Sequence, residues 1–75
     1  MINTIEKAKL TLLNAENGKP VYINWFEEGG GEVFRLNYDW YVLFRVSQYS
    51  GDSYFIGTYH YDNIDMLLKE AFSWT

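Results

Sequence analysis

The chain has no cysteine, a single proline, a single histidine and only six basic residues. Without cysteine there is no disulfide framework, no thiolate zinc site and no cysteine nucleophile. Six Lys and Arg stand against ten Asp and Glu, for a formal charge of −4. That balance argues against nucleic acid as a partner, because phosphate-backbone binding needs clustered cations. No apolar run approaches the roughly 20 residues that a membrane helix requires, so no membrane association is expected. The opening residues Met1 to Lys7 lack the basic segment and following apolar segment of a secretory leader, and a cytoplasmic location is the expectation.

Aromatic side chains are abundant instead. They make up 20% of the 75 residues, within a hydrophobic fraction of 48%. A chain of this length buries only about 60% of its surface on folding. Each buried aromatic removes roughly 150–250 Å² from water, which offsets the small size. A single folded domain over residues 1–75 follows, not a disordered chain.

The most apolar run is Trp40-Tyr41-Val42-Leu43-Phe44-Arg45-Val46. Its aromatic and β-branched side chains suit a pleated strand. Strand alternation puts Trp40, Val42, Phe44 and Val46 on one face and Tyr41, Leu43 and Arg45 on the other. The wholly apolar set is expected to look into the core, leaving the amphipathic set outside.

Around this central strand the pattern predicts a helix from Thr4 to Asn17, capped by Asn3 and stopped by Asn17-Gly18. Strands follow at Val21–Phe26, Val33–Asn37 and, beyond the central one, Tyr54–Tyr59. Gly29-Gly30-Gly31, fenced by Glu27, Glu28 and Glu32, reads as a flexible hairpin tip. The glutamates would repel an anion there, which argues against a phosphate-binding loop. Gly57 inside the last strand signals a bulge or a close backbone approach. Asn63 to Ser73 has Ile64, Leu67, Leu68, Ala71 and Phe72 at helical spacing, with Asp62 as cap and Asp65 at the capping-box position. Short connections favour an antiparallel meander. The fold class is therefore α+β: a small two-layer domain, helix–four-stranded antiparallel meander–helix, with both helices on one sheet face.

No residue set has catalytic spacing. His60, Asp62 and Asp65 lie together in sequence, but both aspartates have helix-capping explanations, and no serine has a nucleophile-elbow context. No enzyme activity, metal or cofactor is expected. The face left open by two helices is expected to carry function. The expected partner-binding set is Tyr22, Arg35, Tyr41, Leu43, Arg45 and Tyr49, with Asn24, Phe26, Val33 and Phe55 as neighbours. Tyrosine and arginine on an uncovered apolar sheet are what protein interfaces favour, so the expected partner is a protein, with homodimerisation through the open face or an edge. One alternative is an acidic inhibitor of the phage or mobile-element type, mimicking nucleic acid to block a basic cleft through Glu27, Glu28, Glu32, Asp39 and Asp52. Another is single-stranded nucleic-acid binding by aromatic stacking, which normally needs a positive groove.

Overall fold

The computed structural model describes residues 2–74. Helix α1 (Ile5–Leu13) leads into strands β1 (Pro20–Phe26), β2 (Gly29–Asn37), β3 (Trp40–Ser47) and β4 (Ser53–His60). A 3₁₀ turn (Tyr61–Asn63) then opens helix α2 (Ile64–Ala71). The strands pair antiparallel in chain order, β1-β2-β3-β4, giving the expected meander between two helices. One cluster joins Ala8 and Leu12 of α1, Ile64, Leu67, Leu68 and Ala71 of α2, and Ile23, Val33, Tyr41 and Leu43 of the sheet. Both helices therefore cover the same face.

Local signals place the helices with small displacements. Thr4, not Asn3, caps α1, its hydroxyl accepting from the Lys7 N–H at 3.3 Å. Asn3 ties down β1 instead, its Oδ1 accepting from the Trp25 N–H at 3.1 Å. Helix α1 ends at Leu13, short of Asn17, where the Asn14 side chain donates to the Leu10 carbonyl at 2.9 Å and competes with the helical ladder. Gly18, at φ 79°, turns the chain toward the sheet, and its N–H donates to the Arg35 carbonyl at 2.8 Å. Before α2, His60 rather than Asp62 caps the turn, its Nδ1 accepting from the Asp62 N–H at 3.2 Å.

The two faces of β3 are the reverse of the expectation. Tyr41 and Leu43 are fully buried beneath the helices, whereas Trp40 is 42% exposed on the other side. The cause lies at the end of α1, whose last carbonyls need donors. The Tyr41 hydroxyl donates to the Leu12 carbonyl at 2.9 Å. Arg35, beside Tyr41 in the register, donates from Nη1 to the Leu13 and Ala15 carbonyls at 3.0 and 3.4 Å. Its Nη2 donates to the Tyr38 carbonyl at 2.9 Å, and its guanidinium lies 5.4 Å from the Tyr41 ring centroid. The Tyr41 hydroxyl and both terminal nitrogens of Arg35 are thus satisfied inside, while Arg35 Nε is buried without a partner among the described residues. A cation meets the negative end of the helix. The amphipathic set belongs with the helices.

The triple glycine is also not a hairpin tip. Gly29, Gly30 and Gly31 are buried and open strand β2, and the turn is Glu27-Glu28 alone. A Cβ on Gly30 would lie 2.6 Å from the Asn24 carbonyl oxygen and 2.9 Å from Trp25 Cα. Opposite these glycines β1 carries an irregularity between Ile23 and Phe26, with Asn24 at φ 54°. That bend turns Asn24 inward, where its Nδ2 donates to the Ala71 carbonyl of α2 at 2.9 Å. Glu32 is consequently a strand residue, not a loop residue.

Candidate functional site

The helices leave one face of the sheet uncovered, and the register identifies its occupants. Across the middle run Tyr22 of β1, Glu32 of β2, Phe44 of β3 and Phe55 of β4, each opposite the next. The neighbouring row places Phe34 opposite Val42 and Val42 opposite Thr58. Toward the other end, Trp40 faces His60. The rings meet edge-on: Phe34 with Phe44 at 5.9 Å, Phe44 with Phe55 at 6.0 Å, and Trp40 with His60 at 5.1 Å between centroids. This is the geometry aromatic quadrupoles favour, and it joins three strands into one apolar sheet surface. Phe55 is 62% exposed and Tyr22 47% exposed, so the rings remain available to solvent.

One charge interrupts this surface. Glu32 lies opposite both Tyr22 and Phe44. Its carboxylate accepts from the protonated Tyr22 phenol and repels the phenolate, with partial burial acting the same way, so the Tyr22 pKa is raised above 10.0. Trp25 frames the glycine end, its indole Nε1 donating to the Gly31 carbonyl at 2.8 Å and its ring meeting Tyr22 edge-on at 5.5 Å. Gly30 has no side chain because that indole and the β1 backbone occupy the space.

Of the partner-binding residues expected from sequence, only Tyr22 lies on this face. Tyr41 and Leu43 are core residues, and Arg35 is committed to the α1 carbonyls. Arg45 also lies on the helix side, with its guanidinium 5.1 Å from the Trp74 ring centroid. Tyr49 is exposed in the β3–β4 turn at the end of the sheet. Val33 and Asn24 are buried toward the helices. Sequence reasoning passed over Phe34, Trp40, Phe44, Thr58 and His60 as residues of this face, along with Val42, which is buried within it. The available signal was glycine placement, since Gly31 and Gly57 both fall on the helix side, beside Arg45 and Leu43. The space over Gly31 is taken by Ile23 and Leu43, and that over Gly57 by the Tyr59 ring.

The other constellations separate in space. Glu27 and Glu28 share one end of the sheet with Asp52, where the Glu28 carbonyl accepts from the Gln48 N–H and the Asp52 carbonyl from the Ser47 N–H, both at 2.9 Å. Asp39 lies at the opposite end, its carbonyl accepting from the Tyr61 N–H at 2.8 Å, and Glu32 sits in mid-sheet. The five carboxylates make no continuous acidic track. Asp65 pairs with Lys9, whose Nζ is 3.0 Å from its carboxylate, while the Asp62 carboxylate lies 3.4 Å from His60 Nδ1. Both arginines of the strands lie on the helix side, so the aromatic face lacks the cations of a stacking nucleic-acid platform.

Comparisons of the chain with protein-family models, curated proteins and solved structures gave no match.

Proposed function

We propose that this protein is a non-enzymatic interaction module whose open aromatic sheet face binds another protein and which also associates with itself. The observation that carries the reading is the linked ring row Phe34–Phe44–Phe55, flanked by Trp40 and Tyr22, with no element above it among the described residues. Contiguous apolar surface of this kind is characteristic of an interface, and aromatic anchors supply much of the binding energy where they are buried.

Glu32 narrows the chemistry of the partner. Burying an unpaired carboxylate is costly. The complementary surface is therefore apolar, with one Lys, Arg or hydrogen-bond donor opposite Glu32. A second copy of the same face offers no Lys or Arg there, which favours a different protein as its occupant.

Substitution on the two sides of the sheet tests the reading. Phe55→Ser with Trp40→Gln is expected to abolish capture of the protein's binding partner from its native cells, and Glu32→Lys to weaken it. Substitution of Lys7 and Glu6, on the outer side of α1, is expected to leave capture intact. A partner retained by the Phe55/Trp40 variant and lost by the α1 variant overturns the assignment.

A further inference from the structure

The sheet has two edges, and they are treated differently. The β1 edge is closed. Ile2 bridges in parallel to Ile23, the Asn24 N–H donates to the Ile2 carbonyl at 2.7 Å, and Asn3 takes the Trp25 N–H. Pro20 opens that strand with no N–H at all. Proline and covering segments are common devices by which natural edges avoid pairing.

Among the described residues the β4 edge has neither device. Ser53–His60 contains no proline and no Asp, Glu, Lys or Arg, and charge is the other usual guard. The direction of its backbone groups follows from the ladder. The Tyr61 N–H donates to the Asp39 carbonyl, and the enclosed pair Trp40–His60 is therefore of the non-hydrogen-bonded kind. Alternation then makes Tyr59 and Gly57 exchange bonds with β3, while His60 and Thr58 direct their N–H and C=O groups away from it. At the other end of β4, the bond from the Ser47 N–H to the Asp52 carbonyl assigns Ser53 and Phe55 outward in the same way. The bulge at Ile56, between the pairs Leu43–Gly57 and Phe44–Phe55, confines regular pairing to Gly57–His60.

We infer that β4 is a homodimerisation edge, pairing antiparallel with β4 of a second copy about a two-fold axis at Tyr59, which sets the outward groups of Thr58 opposite those of His60. The occupant is a second copy because an isologous contact needs a self-complementary strand. An uncharged segment meets itself without repulsion, despite the chain's formal charge of −4. Thr58 of each copy then exchanges both ladder bonds with His60 of the other. The result is one eight-stranded sheet, with the helices of both copies on one side and both aromatic faces on the other. This supplies the self-association of the proposed function, but it stands on the edge geometry alone. A four-residue edge buries less than the roughly 800 Å² per partner of a standard interface, so the dimer is concentration-dependent.

Sedimentation velocity from low to high micromolar concentration, combined with residue-resolved amide exchange, tests the inference. The wild-type chain is expected to dimerise, with the Thr58 and His60 amides becoming protected as concentration rises. Thr58→Pro removes an outward N–H from each copy and is expected to raise the dimer dissociation constant roughly tenfold or more. Tyr22→Ser, on the far strand of the open face, leaves dimerisation unchanged. A wild-type chain that stays monomeric overturns the inference. So does a dimer in which the Thr58 and His60 amides exchange as fast as in the monomer, or one lost with Tyr22→Ser and kept with Thr58→Pro. The wild-type exchange result decides the matter even if Thr58→Pro fails to fold.

Discussion

Tyr41 and Arg35 show how two residues with polar tips become structural. Each extends from the sheet to the carbonyl end of α1, a helix with no basic residue of its own in its last turn. Burial raises the Tyr41 pKa above 10.0, with the Arg35 charge opposing the shift in part, and burial followed by the Glu70 charge raises Tyr59 likewise. A proton held more tightly in the folded state stabilises the fold fully below pH 10. That contribution is lost as pH rises past 10 and through the folded pKa. Urea-unfolding midpoints are therefore expected to hold level around neutrality and to fall above pH 10. Tyr41→Phe is expected to lower stability by about 1 kcal/mol at neutral pH, from the lost bond to Leu12. It is also expected to make the alkaline decline shallower. An alkaline decline of unchanged slope in Tyr41→Phe contradicts this role.

Elements specified by neighbouring residues were legible in the sequence. The four strands follow from alternation and turn formers, and α2 follows from Ile64, Leu67, Leu68 and Ala71 on one stripe. The triple glycine was misread because its cause is not local. Gly30 is small on account of Asn24 and Trp25 in another strand, and nothing in Glu27–Glu32 announces that contact. Glycine substitutions separate the two readings. Gly30→Ala drives a methyl into backbone atoms 2.6 and 2.9 Å away and is expected to cost at the upper end of roughly 1–3 kcal/mol. Gly51 has φ 72° but open space around it, so Gly51→Ala costs only about 1 kcal/mol of backbone strain. Thermal or urea unfolding of both variants checks the order. A Gly30→Ala protein as stable as the wild type restores the flexible-tip reading.

For the molecule as a whole, the partition of β3 into two residue sets was legible, but the direction of each set was not. Periodicity says that Tyr41 and Leu43 share a face; it does not say where the helices lie. That choice is made by the carbonyls of α1, by Gly31 and Gly57, and by the mass of rings that the opposite side must accommodate. Counting apolar residues on one strand favoured the wrong side, because Tyr41 has its hydroxyl satisfied in the core whereas Glu32 and Thr58 accompany the phenylalanines. An uncovered sheet face is present as expected, with nearly all its expected residues exchanged, and its role in interaction is the proposal made above. Covalent footprinting of the protein in its native cells, set against the purified chain, tests that face most directly. Tyr22, Trp40 and Phe55 are expected to react freely in the purified chain and to become protected in cells, while exposed Tyr49 and Met66 react equally in both. Protection confined to Tyr49 or Met66, with Tyr22, Trp40 and Phe55 still reactive, would contradict the account.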